Sequence, residues 1–373
     1  HGLDRHPVRR ILQPGTATVT PQDSVEHVRD LMIQTGWGQI PVAEGGRVVG
    51  VITRTDMIRL QPSSQTAERQ KIAHLMEEAI PGPLLTLIHE IGREAADSGY
   101  VIYFVGGLVR DLLLGQDIVD VDLVVEGDAI DLGRTMAQRY GGEIRSHKRF
   151  RTAKWLLPND IWVTMRAHGA ENGDWRQRET IGPHSDTVES FPEFIDLVTA
   201  RTEFYEHPTA LPMVSRSSIK QDLHRRDFTI NTLAVRLDPQ RWGEMLDFYG
   251  GRADLETGTI RVLHSLSFVD DPTRILRAAR FEVRLGFEID QRSKALIEEA
   301  LPMLDRVTGE RIRHEFDLIF QEDDPARVLE RLQEFGALQQ INPDLQCDAW
   351  LKQRYRRLAQ AFSPEDWGLS EDD

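Results

Sequence analysis

The chain has 373 residues, enough for two or three domains, and its 40% hydrophobic and 28% charged content excludes wholesale disorder. A single cysteine, Cys347, excludes a disulfide scaffold or Cys-rich zinc module and fits a reducing, cytoplasmic setting. No apolar run reaches the roughly 18 residues of a membrane span, and a net charge of −15 argues against nonspecific coating of nucleic acid while leaving room for a local basic footprint.

Residues 1–62 read as one small α/β module. A β-prone run at 16–19 is followed by Asp23 or Ser24 in helix-capping position, and Val25, Val28, Leu31 and Met32 recur at helical spacing. Two strands, 39–43 and 48–53, are joined by Glu44-Gly45-Gly46-Arg47, a hairpin-type turn. Residues 63–82 are taken as a linker, because 61–70 is polar and poor in apolar residues. The segment 83–262 forms a second unit: a helix at 83–98, a strand at 100–105 ending in Gly106-Gly107, a further helix, a strand near 119–125, a helix at 128–140, and strands near 143–147, 152–157 and 194–200. Between the last two strands, 158–192 is rich in polar residues, Gly and Pro and reads as a long excursion. From 263 to 373 the pattern is helical, with breaks near Asp270, Gly286, Thr308 and Pro325.

Three segments carry chemistry. In the run 106–111, GGLVRD, two glycines let backbone approach a polyphosphate, the helix start offers free amides, and Arg110 adds a bidentate phosphate clamp. Taken alone, Gly-Gly before a helix is an ordinary turn. Downstream, Asp120 and Asp122 sit two apart on a strand and so share a face; hard oxygen ligands of this kind suit Mg²⁺. A bare pair of this spacing is as readily a solvated strand face. In the run 222–231, DLHRRDFTIN, Arg225, Arg226, Asp227 and Asn231 offer the acceptor and donor that a ribose edge needs, although in isolation this reads as a charged helix start. In 270–284, Arg274, Arg277, Arg280 and Arg284 fall within about a third of a helix circumference. Four arginines and no lysine favour phosphate contacts over a merely solvated face. Basic residues at 145–154, 216–226 and 274–284 are expected to line one positive groove.

Together and in this order, the segments resemble the class II tRNA nucleotidyltransferase and poly(A) polymerase family. Asp247-Phe-Tyr-Gly-Gly-Arg-Ala-Asp254-Leu255 matches a further motif, Asp270-Asp271-Pro-Thr-Arg274 the nucleotide-reading motif with Asp in place of its first Glu, and Glu310-Arg311-Ile312 with Glu315 a fifth. The resemblance implies an α+β protein: a polymerase-β-like head with a mixed sheet, then an all-helical neck and body. It implies metal ligation by Asp120 and Asp122, and nucleotide contacts from Gly106, Gly107, Arg110, Arg225, Arg226, Asp227, Asn231, Asp271, Arg274, Arg277 and Arg280. Asp196, on a strand that could flank the aspartate pair, is the candidate third catalytic carboxylate. Residues 1–62 resemble a CBS module around Gly50-Val-Ile-Thr53-Arg-Thr-Asp56. That family implies a nucleotide contact at Thr53 and Asp56, with a structural or dimerising role the leading expectation. CBS modules bind ligands in pairs, and the chain begins at His1, so a first module is expected upstream.

The implied activity is template-independent addition of nucleotide to the tRNA 3′ end, with Mg²⁺ as cofactor and ATP, or ATP and CTP, as substrates. Adenine and cytosine each present an amino donor beside a ring-nitrogen acceptor. Asp271 with Arg274 complements that pattern and rejects guanine and uracil through unpaired buried polar groups. Terminal A addition is favoured because Asp122-Leu-Val-Val-Glu-Gly-Asp128 and the run 195–212 resemble the A-adding branch. The alternatives are a full CCA-adding enzyme, a poly(A) polymerase, and a CBS-type nucleotide-sensing regulator with a silent transferase domain. A glycosyltransferase using the paired aspartates would leave the 225–227 and 270–274 segments without a task.

Overall fold

The computed structural model describes residues 17–59, 65–116, 121–172, 191–204, 213–351 and 353–355. It divides into two compact units, residues 1–65 and 66–373.

In the first unit, Ser24 caps the helix Val25–Thr35 by accepting from the His27 amide, and Gly36 ends it in the left-handed conformation. Strands Gln39–Glu44 and Arg47–Thr53 pair antiparallel across the expected turn, and a short helix, Arg54–Arg59, follows. Val19, Val28, Met32 and Ile40 form a small core. Thr53 donates to Asp56 Oδ2 from both its amide, at 2.9 Å, and its hydroxyl, at 2.7 Å. This stitches the end of the hairpin to the helix that follows it.

The second unit is built on a seven-stranded mixed sheet. From one edge the strands run Met245–Asp247, Leu233–Arg236, Val101–Val105, Asp122–Glu126, Phe194–Thr199, Thr152–Leu156 and Glu143–His147. Only Asp122–Glu126 and Phe194–Thr199 pair in parallel; every other neighbour is antiparallel. Helices Gly82–Asp97 and Ala129–Tyr140 bury Leu87, Ile88, Ile91, Leu132 and Met136 in the main core with Ile102, Phe104, Leu123, Val125 and Leu197. The inward residues of each strand alternate, as a sheet with one face in the core requires. The opposite face carries a smaller cluster of Tyr103, Val105, Val124, Ile219, Leu223 and Ala234, beside which the cleft opens. Helices Ser267–Asp270, Arg274–Leu285, Gln291–Ala300, Gly309–Phe320, Pro325–Phe335 and Ala337–Ile341 complete the unit. No helix among the described residues is long and apolar enough to cross a membrane.

Two sequence expectations are corrected. Much of the stretch taken as a linker is the helix Gln65–Ala79, which places Ile72 and Met76 in the core of the second unit. Arg69 fastens it by donating to the Trp242 and Gln240 carbonyls at 2.8 Å. The polar composition conceals this, because one i, i+4 apolar pair is enough to seat a helix on a waiting surface. The excursion 158–192 likewise begins with the helix Ile161–Asn172, whose Ile161 and Met165, again four apart, are fully buried. Residues 173–190 lie outside the described residues.

Candidate active site

Gly106 ends the central strand Val101–Val105 and precedes the helix Gly107–Leu114. Its φ of 65° lies in the left-handed region, and a Cβ there would fall 2.4 Å from Arg226 Nη1. The backbone conformation therefore favours glycine, and a Cβ there would also push the Arg226 guanidinium aside. On the helix, Arg110 is buried and committed to three partners. It donates to both Asp111 oxygens, at 2.8 and 3.0 Å, and to Asn231 Oδ1 at 2.9 Å, with its guanidinium over the Phe281 ring.

Arg225, Arg226, Asp227 and Asn231 sit where the helix Ile219–His224 turns back toward the strand Leu233–Arg236. Asp222, wholly buried beneath them, accepts from Arg225 at 2.9 Å and from Arg226 at 3.2 Å. Burial would raise the Asp222 carboxyl, but Arg225 and Arg226 outweigh it and hold it below the usual carboxylate value. Asn231 donates to Asp227 Oδ1 at 3.0 Å, and Arg277 Nη2 lies 2.7 Å from Asp227 Oδ2 as a close ion pair. Asp227 follows the same logic: burial pushes its carboxyl up, and Arg277, Asn231 and Arg274 bring it to a net depression. Burial in turn lowers the Arg226 guanidinium, while Asp227 raises Arg277.

The segment 247–255 is the scaffold under this loop. Asp247 accepts from four successive backbone amides, those of Tyr249, Gly250, Gly251 and Arg252. Asp254 accepts from Thr229 Oγ1 at 2.6 Å, and a Cβ on Gly251 would lie 2.1 Å from the Thr229 carbonyl. The two glycines and two aspartates thus fix the backbone that carries Asn231.

The helix Arg274–Leu285 buries Ile275, Leu276, Ala279 and Phe281 and turns its arginines onto the cleft. Arg274 and Arg280 are themselves buried, whereas Arg277 and Arg284 stay partly exposed. Arg274 Nη2 donates to the Arg225 carbonyl at 2.7 Å. Arg280 pairs with Glu322 at 3.2 Å. Arg226, Arg274 and Arg280 together hold four buried guanidinium nitrogens with no hydrogen-bond partner among the described residues: Arg226 Nε, Arg274 Nε and Nη1, and Arg280 Nε. Buried donors left in this state are costly unless a ligand completes them. Asp271, just before the helix, receives Arg311 Nη2 and Thr273 Oγ1, each at 2.7 Å, and the Thr273 amide at 3.1 Å, all on Oδ1.

Asp122 is exposed at the first position of its strand, and the parallel register places Asp196 directly opposite. Lys154, opposite Asp196 on the next strand, pairs with it at 3.4 Å. Asp120 lies outside the described residues. A cleft of about 410 Å³ is lined by Gly107, Arg110, Asp227, Asn231 and the arginine helix. It continues into one of about 480 Å³ that reaches Asp122, and the two share Gly107, Arg110, Arg225, Arg226 and Arg284. Of the expected basic groove, Arg216 is instead committed to Asp128. Sequence reasoning missed Asp222 and Asp111, the carboxylates that hold the arginines in place. Nothing marks them in one dimension beyond their nearness to Arg225 and Arg110. The arrangement can seat a polyanion on guanidinium donors beside hard carboxylates able to take a divalent cation.

Residues 102–181 and 173–261 match the family described as the poly A polymerase head domain. Residues 286–348 match the probable RNA and SrmB-binding site of polymerase A, and 8–63 the CBS domain. The chain is 37% identical over 362 residues to an A-adding tRNA nucleotidyltransferase of Geobacter sulfurreducens, spanning 92% of this chain and 38% of that protein. It is 36% identical over 271 residues to the A-adding tRNA nucleotidyltransferase of Halalkalibacterium halodurans, spanning 72% and 56% respectively. A CCA-adding enzyme solved in an apo form superposes with a TM-score of 0.65 at 34% identity, over 79% of this chain and 62% of that one. The chain therefore spans less than two thirds of the length of each of these relatives.

Proposed function

The chain belongs to the class II tRNA nucleotidyltransferase and poly(A) polymerase family, and from that membership we propose that it transfers the terminal AMP of the CCA end from ATP to the tRNA 3′-hydroxyl, without a template. The observation that carries this reading is the set of four buried, unpartnered guanidinium nitrogens beside the exposed carboxylate at Asp122. Gly106, Gly107 and the arginines 226 and 280 would cradle the triphosphate. Asp227 and Asn231, locked to each other and to Arg110 and Arg277, present a fixed polar edge to the ribose. Catalysis in this family of reactions is mostly positioning and electrostatics, so rigidity here is the protein's main contribution.

The base reader follows from the Asp271 hydrogen bonds. Its three donors all converge on Oδ1, which leaves Oδ2 to accept the amino group of adenine or cytosine. Arg274, with Nε and Nη1 unpartnered, donates to the ring nitrogen. Guanine and uracil would set a carbonyl against the carboxylate and a ring N–H against the guanidinium.

Divalent metal dependence is a family property, and we assign Mg²⁺. The donor set fits: Asp122 and Asp196 are hard oxygen ligands in cross-strand register on one sheet face, and Asp120, two residues before Asp122, would complete them. The chemistry a divalent ion supplies there is a lowered pKa at the attacking hydroxyl and neutralised charge on the departing pyrophosphate. The helical segment 286–348 would bind the acceptor arm of tRNA. We place the reaction in the cytoplasm, in keeping with the single cysteine. The test is incorporation of labelled ATP and CTP into tRNA ending in two cytidines and into tRNA lacking all three terminal nucleotides. AMP incorporation into the first alone supports the reading; efficient CMP incorporation into the second replaces it with full CCA addition.

A further inference from the structure

Lys154 stands on the same sheet face as the carboxylates, and nothing in the proposed reaction uses it. The register sets Asp122 opposite Asp196 and Asp196 opposite Lys154, so the three side chains leave one face of three adjacent strands. Lys154 Nζ lies 3.4 Å from Asp196 Oδ2 and 3.5 Å from the centroid of the Phe194 ring. Phe194 and Asp196 are two apart on their strand and share that face. A carboxylate and an aromatic ring therefore both hold the ammonium, although 40% of the side chain is exposed.

We propose that Lys154 is a resident cation that keeps Asp196 charge-compensated in the nucleotide-free enzyme, so that a divalent ion enters the carboxylate row with the nucleotide phosphates and not ahead of them. The proposal rests on reading Asp196 as the third carboxylate. With a metal–oxygen bond of about 2.1 Å, an ion on Asp196 Oδ2 would lie no more than about 5.5 Å from Nζ. A dication and an ammonium at that separation repel enough, even at the dielectric of water, to weaken binding about tenfold. Triphosphate oxygens reverse the balance, because they add negative charge and ligands to the same site.

The experiment measures Mn²⁺ binding to the whole chain by electron paramagnetic resonance, without nucleotide and at low ionic strength, where screening is least. Lys154→Met, which keeps the stem over Phe194, is expected to bind Mn²⁺ about tenfold more tightly. Lys154→Arg keeps the charge and should stay within about twofold of the unsubstituted protein. In an Asp196→Asn background, Lys154→Met should change nothing. With a non-hydrolysable ATP analogue present, the unsubstituted protein should gain more Mn²⁺ affinity than Lys154→Met does. Lys154→Gln gives the same reading if the methionine variant melts early. Unchanged or weaker Mn²⁺ binding by Lys154→Met, while Asp196→Asn weakens it, overturns the role given to Lys154 alone. Unchanged binding in Asp196→Asn overturns the reading of Asp196 and this proposal with it.

Discussion

At the arginine end of the cleft, its closed end, the carboxylates are buried and already paired, whereas at the other, its open end, they meet solvent. Asp222 and Asp227 are buried, each answered by a guanidinium from Arg225 and Arg226 or from Arg277. Asp122 is exposed, and the side chains of Asp196 and Lys154 are 32% and 40% exposed, placed by strand register. The difference follows from what each end must receive. A nucleotide needs fixed donors that stay charged in a dry site, and buried charges persist only when paired. A hydrated metal ion needs ligands that water and phosphate can reach.

The largest effect should come from the open end, and only on rate. Asp122→Ala is expected to cut AMP incorporation by about a thousandfold or more, as loss of a metal ligand does in such chemistry. Because the side chain is exposed, unfolding free energy should stay within about 0.5 kcal/mol. Single-turnover incorporation and a urea titration check both halves. A variant that unfolds readily would show that the open end is structural after all.

At the closed end the balance reverses. Asp227→Ala leaves the half-buried Arg277 without its partner and takes away the acceptor of the Asn231 amide. Removing one member of a fully buried pair costs about 3 kcal/mol or more, and solvent that reaches Arg277 reduces this, so this variant should lose about 1–2 kcal/mol and show a clear fall in urea midpoint before any assay of turnover. A midpoint unchanged from the unsubstituted protein would mean that the pairing at this end is not what holds the cleft.

The base reader lies between these extremes. Asp271→Ala or Arg274→Ala is expected to lower the preference for ATP over GTP by about tenfold to a hundredfold, with a smaller loss in total rate. Competition between labelled nucleotides measures this. A uniform loss across all four nucleotides would reassign the pair to holding the fold. Arg311, which fixes the Asp271 carboxylate at 2.7 Å, should share the effect in weaker form.

How much of this was legible in the sequence differs between the two ends. The strand that ends in Gly106-Gly107, the helix caps and the arginine stripe of 274–284 follow from local rules of spacing and capping. The convergence of Arg110, Asn231 and Arg277 on one network was foreshadowed by motif order but not by geometry. The pairing of Asp122 with Asp196 and Lys154 depends on strands far apart in the chain coming together in one parallel and one antiparallel register. No periodicity reports that, since register belongs to the sheet rather than to any single strand. The helix Gln65–Ala79 was hidden for a related reason: its apolar face is two or three residues wide and is legible only against the surface that receives it.

The smallest expected effect sharpens the comparison within the closed end, where two buried carboxylates titrate in opposite directions. Burial is the leading influence on both. At Asp227 the ion pair with Arg277 prevails and the carboxyl is depressed. At Glu315 burial prevails over the pull of Arg277 and Arg280, its carboxyl is raised, and Oε2 has no hydrogen-bond partner among the described residues. For Asp227, the depressed folded value means that its contribution is present above the ordinary carboxylate pKa and is lost as pH falls through the folded one. For Glu315, the raised folded value means that its contribution is complete below the ordinary pKa and is lost as pH rises through the folded one. Glu315→Gln removes that loss while keeping shape and polarity. It should therefore leave stability at pH 4 unchanged and raise it at pH 7 by a few tenths to about 1 kcal/mol. Urea titrations at the two pH values measure the difference. A glutamine variant less stable at pH 7 than the unsubstituted protein would show that the ionised Glu315 is needed by Arg277 and Arg280, and that the closed end contains a third paired carboxylate instead of an unpaired one.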